Sequence, residues 1–451
     1  MKIYTILIVV LILLNTLLGE NYPDQQYILR IDDIIARVES TFNLQLSPDG
    51  KCIEMQDGAT QGYMILKPDT SEHPFNRGLP SWNGTVSDDN TSFLIQMRFP
   101  DGNGWSDWLT VGYWKDFIWS SYGKTSFSGG YVDIDYVKLN TYANRWQFRI
   151  NMLRKNASAP SPAIHKLSFF ISDSRTTESI DYGSILNDNP AEIFIPTEFF
   201  YQYAIDDDIG GSICSPTSVS MVLRSYDIGV DPYDFAVDTY DPYHQIFGVW
   251  PRAVQNAAEK GLDGTVNRYR TWSEAREVLA RGGRIVMSVG RPLYEGHLMM
   301  LAGFTANGNP IVHDPARSNG YAYVFNKSDL SHSWFDKGGI AYTFFPADTQ
   351  ATSIHQDLLA GYQPEDFQLF QNFPNPFNNS TRISFNLKEN TPVEITVHNA
   401  TGGLVQVLYN EHTPAGFHQL NWNAADLASG TYFIRLSTGR FQKVIRAVLI
   451  K

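Results

Sequence analysis

The chain has 451 residues, of which 43% are apolar and 18% are charged. It is long enough for about three domains with substantial cores and too apolar for extended disorder. The formal net charge is -12, and no Lys/Arg-rich stripe offsets it, which argues against a nucleic-acid partner. Aromatic residues make up 14% of the chain, and their excess in the first third favours β-structure there.

Residues 1–19 have the composition of a secretory signal peptide. Lys2 precedes an apolar run from Ile3 to Leu14, and small or polar residues follow as far as Gly19. The run is shorter than the roughly 20 residues that span a bilayer, which favours cleavage near Gly19 over the alternative of an uncleaved anchor. We therefore predict export, with the mature protein secreted or held at the outer cell surface.

Repeated short strands in residues 20–175 predict a β-sandwich accessory domain. Two stretches alternate apolar with polar residues: Phe93, Ile95, Met97 and Phe99 in the first, and Trp146, Phe148, Ile150 and Met152 in the second. A sandwich packs such faces against each other. Five tryptophans favour either a carbohydrate-binding platform or a larger core: Trp82, Trp105, Trp108, Trp114 and Trp119.

A polar linker is predicted at residues 176–195. Beyond it, a loop that begins at Gly210 runs through Cys214 into a predicted helix. Ser215 is a suitable N-cap, and Pro216 suits the first helical position, where its missing N–H is not needed. The apolar residues that follow repeat at helical spacing and predict one buried face: Val219, Val222, Leu223 and Tyr226.

A cysteine at the N-terminus of a buried helix favours the thiolate, because backbone N–H groups and the positive end of the helix dipole stabilise the anion. Cys214 is therefore the candidate nucleophile. The candidate base is His297, which opens an apolar strand, and Asp314 ends a second short strand. A turn at residues 305–308 would bring the two strands, and hence these two side chains, together. Gln202, upstream, is the candidate donor to a developing oxyanion.

The span 196–346 resembles the papain-like cysteine peptidases of the double-glycine leader peptidase type, in their stand-alone secreted branch. The resemblance lies in a glutamine ahead of Cys-x-Pro-Thr-Ser, a Gly-His followed by an apolar strand, and an Asp-Pro-Ala. It implies that Cys214 attacks the substrate, that His297 is the base and that Asp314 orients the base. It also implies that Gln202 builds the oxyanion hole.

Two positions depart from that pattern. Ser215 stands where many relatives have glycine, and Leu298 follows the histidine where leader peptidases often have an aromatic residue. Neither change removes a catalytic atom. Both leave a double-glycine leader unsupported as the substrate.

Helices are predicted at residues 250–260 and 272–281, ending at Gly261 and Gly282. Buried strands follow them. Residues 196–347 therefore have the helix-first, strand-later order of an α+β domain, as the resemblance to a papain-like fold implies.

The two cysteines of the chain, Cys52 and Cys214, fall in different predicted domains. A bond between them would consume the nucleophile, so we expect no disulfide, and we interpret Cys52 as a buried apolar filler. The acids Asp206, Asp207 and Asp208 lack the alternating spacing of a calcium-binding loop, which favours a solvated loop. We expect no metal and no cofactor.

A second linker is predicted at residues 348–366, and residues 367–451 offer about six short strands that predict an immunoglobulin-like β-sandwich. This segment resembles the type A C-terminal sorting domain of the type IX secretion system, through Asn-Pro-Phe at 375–377 and the runs 428–433 and 448–451. The resemblance implies passage across the outer membrane of a Bacteroidota-like bacterium, with the secretion machinery as partner. A plain sandwich spacer is the alternative.

The predicted fold is thus multidomain, with an N-terminal β-sandwich, a central papain-like α+β domain and a C-terminal immunoglobulin-like sandwich. Two functions are compatible with it. The first is a secreted or cell-surface cysteine peptidase that hydrolyses peptide bonds through a Cys-His-Asp triad and a thioester. The second is a non-catalytic cell-surface binding protein for carbohydrate or protein, with an inert peptidase-like domain. Thiol reactivity separates them, because only the first needs an activated Cys214.

Overall fold

The computed structural model describes residues 24–87, 89–115, 125–177, 180–347, 368–369, 372, 376–387, 390–413, 416–439 and 441–451. The chain divides into two compact units, Met1–Ala360 and Gly361–Lys451. The predicted signal peptide and the second predicted linker lie outside the described residues. Across the described part of the chain, every helix is too short or too polar to cross a bilayer.

The N-terminal part of the larger unit is almost entirely β-structure. Its strands are β1 Gln25–Arg30, β2 Val38–Phe42, β3 Leu44–Leu46, β4 Ile53–Met55, β5 Gln61–Leu66, β6 Asp69–Thr85, β7 Thr91–Arg98, β8 Pro100–Asp101, β9 Gly104–Trp105, β10 Leu109–Trp114, β11 Thr125–Phe127, β12 Gly130–Asp133, β13 Tyr136–Arg154 and β14 Ala163–Ser172. The short helices are α1 Ile31–Ala36 and α2 Ser174–Thr177.

Strands β8 and β9 pair only with each other, and the other strands of this region form one antiparallel sheet whose central order is β10-β7-β13-β6-β14-β4-β3. The two longest strands, β6 and β13, carry register shifts where they pair, which lets a strand bend and change partners. The residues predicted to alternate toward a core on β7 and β13 are buried. The strand prediction is therefore confirmed for this region, which forms a β-rich domain with its own aromatic core.

The rest of the larger unit mixes helices and strands. The elements are α3 Tyr182–Asn187, β15 Ile193–Phe194, α4 Cys214–Arg224, α5 Pro232–Thr239, α6 Trp250–Glu259, β16 Leu262–Arg268, α7 Trp272–Ala280, β17 Arg284–Val289, β18 His297–Phe304, β19 Pro310–His313, β20 Tyr323–Val324, α8 Lys327–Phe335 and β21 Ile340–Pro346, with 3-10 turns at Gln202–Ala204 and Gly210–Ser212. The sequence predicts α4, α6 and α7, and it does not predict α3, α5 and α8.

An antiparallel sheet of order β16-β21-β17-β18-β19-β20, with β15 beside β18, forms the centre of this region. Strands β18 and β19 pair directly, with Phe304 opposite Pro310 and Met300 opposite His313. The predicted turn between them is therefore confirmed. Since the strands are antiparallel, the first residue of β18 and the residue after β19 lie at the same end of this strand pair.

The smaller unit contains two antiparallel sheets. Its strands are β22 Gln368–Leu369, β23 Ser380–Leu387, β24 Thr391–Asn399, β25 Leu404–Thr413, β26 Gly416–Asn423, β27 Gly430–Thr438 and β28 Phe441–Leu449. The sheet orders are β22-β23-β26 and β25-β24-β27-β28. Side chains of both sheets, among them Phe385 and Ile434, share one core. The six strands predicted in this segment are all present.

Candidate active site

Cys214 is the first residue of helix α4, and its neighbourhood is set by the buried face of that helix. Val219, Val222 and Leu223 are fully buried, as the helical spacing predicts. The prediction that Ser215 caps the helix is wrong, because the helix already begins at Cys214. The Ser215 hydroxyl is instead 2.9 Å from the Tyr342 hydroxyl, a buried partner that replaces the capping bond.

His297 and Asp314 meet at one end of the paired strands β18 and β19. His297 opens β18 and Asp314 directly follows β19, so the pairing of the two strands places them side by side. The Nε2 atom of His297 lies 2.7 Å from Oδ1 of Asp314, and both side chains are buried, 4% and 0% exposed. Cys214 and His297 are close enough for each to shift the pKa of the other. The structure thus brings Cys214, His297 and Asp314 together.

The Asp314 carboxylate has further partners that the sequence did not reveal. The Tyr294 hydroxyl donates to Oδ2 at 2.5 Å, and the Ala316 backbone N–H donates to Oδ1 at 3.0 Å. Arg317 Nε is 3.2 Å from Oδ2. The Tyr294 ring also packs on His297, with ring centres 4.3 Å apart. The one sequence signal was proximity, since Tyr294 and Arg317 each lie three positions from a predicted site residue.

The electrostatics of the three groups favour a charged pair. Burial alone would raise the pKa of the Cys214 thiol, but the hydrogen bond to His297 and its charge outweigh burial and lower it. Burial would lower the pKa of His297, yet hydrogen bonds to Asp314 and Cys214 raise it to about 9. Burial opposes ionisation of Asp314, and the bond with His297 reverses this and lowers its pKa. The imidazolium of His297 therefore stabilises both the thiolate of Cys214 and the carboxylate of Asp314.

Gln202 lies between the loop that precedes the cysteine and the strand end that carries the aspartate. Its backbone N–H donates to the Pro315 carbonyl at 2.9 Å. Its side-chain Nε2 donates to the Gly210 carbonyl at 2.7 Å, and the side chain is 2% exposed. An amide nitrogen has two N–H groups, and this contact uses one of them.

His313 and Cys52 have the same residue types as His297 and Cys214, but their surroundings differ. His313, one residue before Asp314, is buried with Nε2 2.9 Å from the Ile195 carbonyl and Nδ1 accepting from the Ala322 N–H at 3.1 Å, so both ring nitrogens are used by the backbone. Cys52 is free and half-buried, less enclosed than the filler we predicted. Cys214 is also free.

The acidic stretch before the nucleophile has a local structural role. Oδ1 of Asp206 accepts hydrogen bonds from the N–H groups of Asp208 and Ile209, both at 2.9 Å. This turn pattern is typical of an aspartate that starts a loop. Over the ranges that the structure describes, His, Cys, Asp and Glu side chains form no group of three or more suited to a metal ion.

The tryptophans of the N-terminal region divide between its core and half-buried positions. Trp82 and Trp114 are fully buried in the core. Trp105 and Trp108 are half-buried, and an arginine guanidinium lies over each ring, 5.3 and 4.5 Å from the ring centres. Trp119 lies outside the described residues. Trp82 and Trp114 are therefore core residues, and a carbohydrate platform stays a prediction for Trp105 and Trp108.

Comparison with known protein families matches three parts of the chain. Residues 194–342 match the Peptidase C39 like family, and residues 44–172 match the Peptidase C39 N-terminal domain. Residues 371–451 match the Secretion system C-terminal sorting domain. No curated protein matches the chain.

Two solved structures show weak likeness. One is PorZ, described as an essential bacterial surface component of the type-IX secretion system of Porphyromonas gingivalis; it is 16% identical over 34% of this chain, with a TM-score of 0.15. The chain spans 21% of the length of PorZ. The other contains the CBM51-2 and INT domains of Clostridium perfringens ZmpB, 10% identical over 94% of this chain and 84% of that one, also with a TM-score of 0.15. Similarity this low carries no functional argument.

Proposed function

We propose, from the premise that residues 194–342 belong to the peptidase C39-like family, that this chain is a cysteine peptidase that hydrolyses peptide bonds through Cys214, His297 and Asp314. The sorting domain at residues 371–451 indicates a secreted or cell-surface protein and implies interaction with the type IX secretion machinery. The observation that carries the proposal is the 2.7 Å bond from His297 to Asp314 beside a cysteine whose pKa is lowered.

In the acylation step, the Cys214 thiolate adds to the carbonyl carbon of the peptide bond and the carbonyl oxygen becomes an oxyanion. The imidazolium of His297 then donates its Nδ1 proton to the leaving nitrogen. The carbon–nitrogen bond breaks, an amine leaves, and a thioester to Cys214 remains. Asp314 stabilises the charged imidazole and fixes its orientation through Nε2.

In the deacylation step, His297 is neutral and takes a proton from a water molecule. The water oxygen attacks the thioester carbonyl, and a second oxyanion forms. When this collapses, the carbon–sulfur bond breaks, the carboxylic acid product leaves, and the thiolate and imidazolium are restored. Water is the only co-reactant.

Gln202 and the backbone N–H of Cys214 are the proposed oxyanion donors. The Gln202 amide is held by its bond to Gly210, and we assign its second N–H to the oxyanion. A donor that is already held in place stabilises the oxyanion most when it is buried, because little reorganisation is needed during the reaction.

The proposed organisation of the whole chain is a signal peptide at residues 1–19, a β-sandwich at 20–175, a papain-like domain at 196–347 and an immunoglobulin-like sorting domain at 367–451. The proposed linkers are 176–195, which in the structure carries helix α3 and strand β15, and 348–366. The single core shared by two sheets in the last unit supports a sandwich there. The match of residues 44–172 to a peptidase N-terminal domain supports an accessory role for the first.

The test is hydrolysis of a peptide library by the full-length chain, read by mass spectrometry, with Cys214→Ala and Cys52→Ala side by side. We expect Cys214→Ala to lower kcat at least about a thousandfold, since it removes the nucleophile. Cys52→Ala, which removes a thiol outside the site, should retain the wild-type rate. Cleavage that survives in Cys214→Ala would refute the assignment. A wild type that cleaves nothing and whose Cys214 reacts no faster than Cys52 would favour the inert binding protein.

A further inference from the structure

The N-terminal β-rich region contacts the peptidase-like region through a polar seam. Lys166, only 1% exposed, forms an ion pair with Asp263 on β16, and Arg30 joins the same carboxylate at 2.8 Å. The Asn83 side chain both donates to the carbonyl and accepts from the N–H of Gly264. Strand β16 is the edge of the peptidase-like sheet, so these side chains cover an edge that would otherwise be open.

The same seam includes a β-hairpin whose tip is Ile134-Asp135. The hairpin pairs β12 with β13, with Asp133 opposite Tyr136. Ile134 has a backbone φ of +59°, a left-handed conformation that is costly for a β-branched residue and persists only where surrounding contacts hold it. Ile134 is half-buried and lines a crevice together with Val249 of the peptidase-like region, and Asp135 beside it is buried, so the tip packs against the second region.

Asp135 completes the N-terminus of helix α6. That helix begins at Trp250 after Val249, whose side chain makes no capping bond, and Pro251 has no N–H to satisfy. The Trp250 N–H donates instead to Oδ2 of Asp135 at 2.8 Å. A carboxylate at this position is a favourable cap, because it accepts a free N–H and faces the positive end of the helix.

The segment that Asp135 holds packs against the residue after the nucleophile. A Cβ atom built on Gly248 would lie 3.8 Å from the Cβ of Ser215, the residue that follows Cys214. Gly248 therefore packs against the start of helix α4, and Asp135 and Cys214 are both close enough to influence the pKa of Lys337; we call residues 248–250 the cleft wall.

The surroundings of Asp135 are compatible with either protonation state of its carboxyl group. Burial raises its pKa to about 7, against the lowering effect of the Trp250 hydrogen bond. Asp133 raises the pKa and Lys337 lowers it. Asparagine has a side-chain oxygen in the same position, so Asp135→Asn should keep the bond that the Trp250 N–H donates.

We propose that the Ile134-Asp135 hairpin tip positions the cleft wall for peptide binding, so that the N-terminal region is a working part of the peptidase site. Asp135 is a positioning residue that acts through the Trp250 N–H. The inference rests on the proposed peptidase function. It assigns to the N-terminal region a role in holding the substrate's peptide chain, separate from the bond-breaking groups.

The experiment compares Asp135→Ala, Asp135→Asn and the control Asp107→Ala in the full-length chain. Asp107 is an exposed carboxylate of the same region, so its removal controls for loss of charge. We measure kcat and KM on a cleaved peptide, the rate at which iodoacetamide alkylates Cys214, and hydrogen exchange in a peptide containing Trp250.

If the proposal is correct, Asp135→Ala raises KM about fivefold to tenfold, accelerates exchange at Trp250 and leaves alkylation of Cys214 within about twofold of wild type. Asp135→Asn and Asp107→Ala should behave as wild type in all three measurements. An unchanged KM in Asp135→Ala would overturn the proposal, and so would a rise in KM that Asp135→Asn does not rescue. Slowed alkylation in Asp135→Ala would also overturn it, because the damage would then reach the thiolate itself.

The exchange measurement needs no peptidase activity. A wild type that cleaves no peptide refutes the proposed function, while unchanged exchange at Trp250 in Asp135→Ala refutes the positioning role by itself. The two failures are therefore distinguishable.

Discussion

Cys214 and Cys52 are both free and partly exposed thiols, yet their surroundings have opposite electrostatic effects. Around Cys214 the dominant charges are positive: His297 stabilises the thiolate, and Lys337 is close enough for the sulfur to affect its pKa. Around Cys52, burial raises the pKa, and the charges of Glu54 and Asp49 raise it further, with only a bond from the Ser47 side chain acting the other way.

The comparison shows that cysteine reactivity in this chain is a property of the site and not of the residue type. A helix start and a buried imidazole favour the anion at Cys214, whereas carboxylates beside Cys52 favour the neutral thiol. This difference in thiol acidity matters outside the cell, because the thiol that ionises more readily is also the one that oxidises more readily.

His297→Ala should remove most of the difference between the two thiols. Without the imidazole, the burial of Cys214 is no longer outweighed, so its pKa should rise toward that of Cys52. We expect peptide hydrolysis to fall by about a thousandfold or more, and the alkylation rates of the two cysteines near neutral pH to become similar.

The matched control is His332→Ala. His332 also pairs with an aspartate, Asp336 at 3.3 Å, but on the surface. Its loss should leave both hydrolysis and the thiol ratio unchanged. Retention of fast Cys214 alkylation in His297→Ala would show that the helix N-terminus alone activates the sulfur, which would contradict the role assigned to the imidazole.

The difference between the thiols should also depend on pH. The thiolate and imidazolium coexist only above the lowered pKa of Cys214 and below the pKa of His297, about 9. Hydrolysis should therefore rise with pH through the first value and fall as pH rises through the second. Alkylation of Cys214 should exceed that of Cys52 by roughly tenfold to a hundredfold near pH 6, and the ratio should shrink in alkaline solution as Cys52 ionises.

Alkylation followed by peptide mass spectrometry measures both rates in one sample, so each pH value carries its own internal standard. A ratio that stays near one across the whole range would show that Cys214 is an ordinary thiol. A kcat/KM profile with no alkaline limb would show that proton donation by His297 does not limit the reaction.

Much of this arrangement follows from local sequence patterns. The turn after Phe304 and the two apolar stretches around it were enough to predict that His297 and Asp314 come together, because strand pairing is specified by short-range pattern and turn chemistry. Helices α6 and α7 were predicted because Gly261 and Gly282 follow their last turns. Both glycines have positive φ, which is typical of the residue after a helix.

Two kinds of feature were not predicted. Some have a signal in the sequence, and others have none. The start of α5 is marked by Asp231 followed by Pro232, and that of α8 by Asn326, and both caps accept backbone N–H groups in the structure. Those signals were present in the sequence. The contacts of Tyr294 with Asp314 depend on how a loop folds back over the strand ends, and no periodicity encodes that.

The smallest expected effect tests that loop contact. Tyr294→Phe keeps the ring that packs on His297 but removes the hydroxyl that donates to Asp314. Since Asp314 retains its bonds to His297 and to the Ala316 N–H, we expect only a severalfold decrease in kcat, corresponding to about 1 kcal/mol for one hydrogen bond.

Tyr321→Phe is the counterpart for the other histidine. Tyr321 stacks on His313 with ring centres 4.7 Å apart, and His313 is bonded only to backbone groups of Ile195 and Ala322. Removing the Tyr321 hydroxyl should therefore leave kcat unchanged while Tyr294→Phe lowers it. Equal effects of the two substitutions would mean that the hydroxyl bond from Tyr294 to Asp314 makes no specific contribution to kcat, and that the carboxylate is held adequately by its remaining partners.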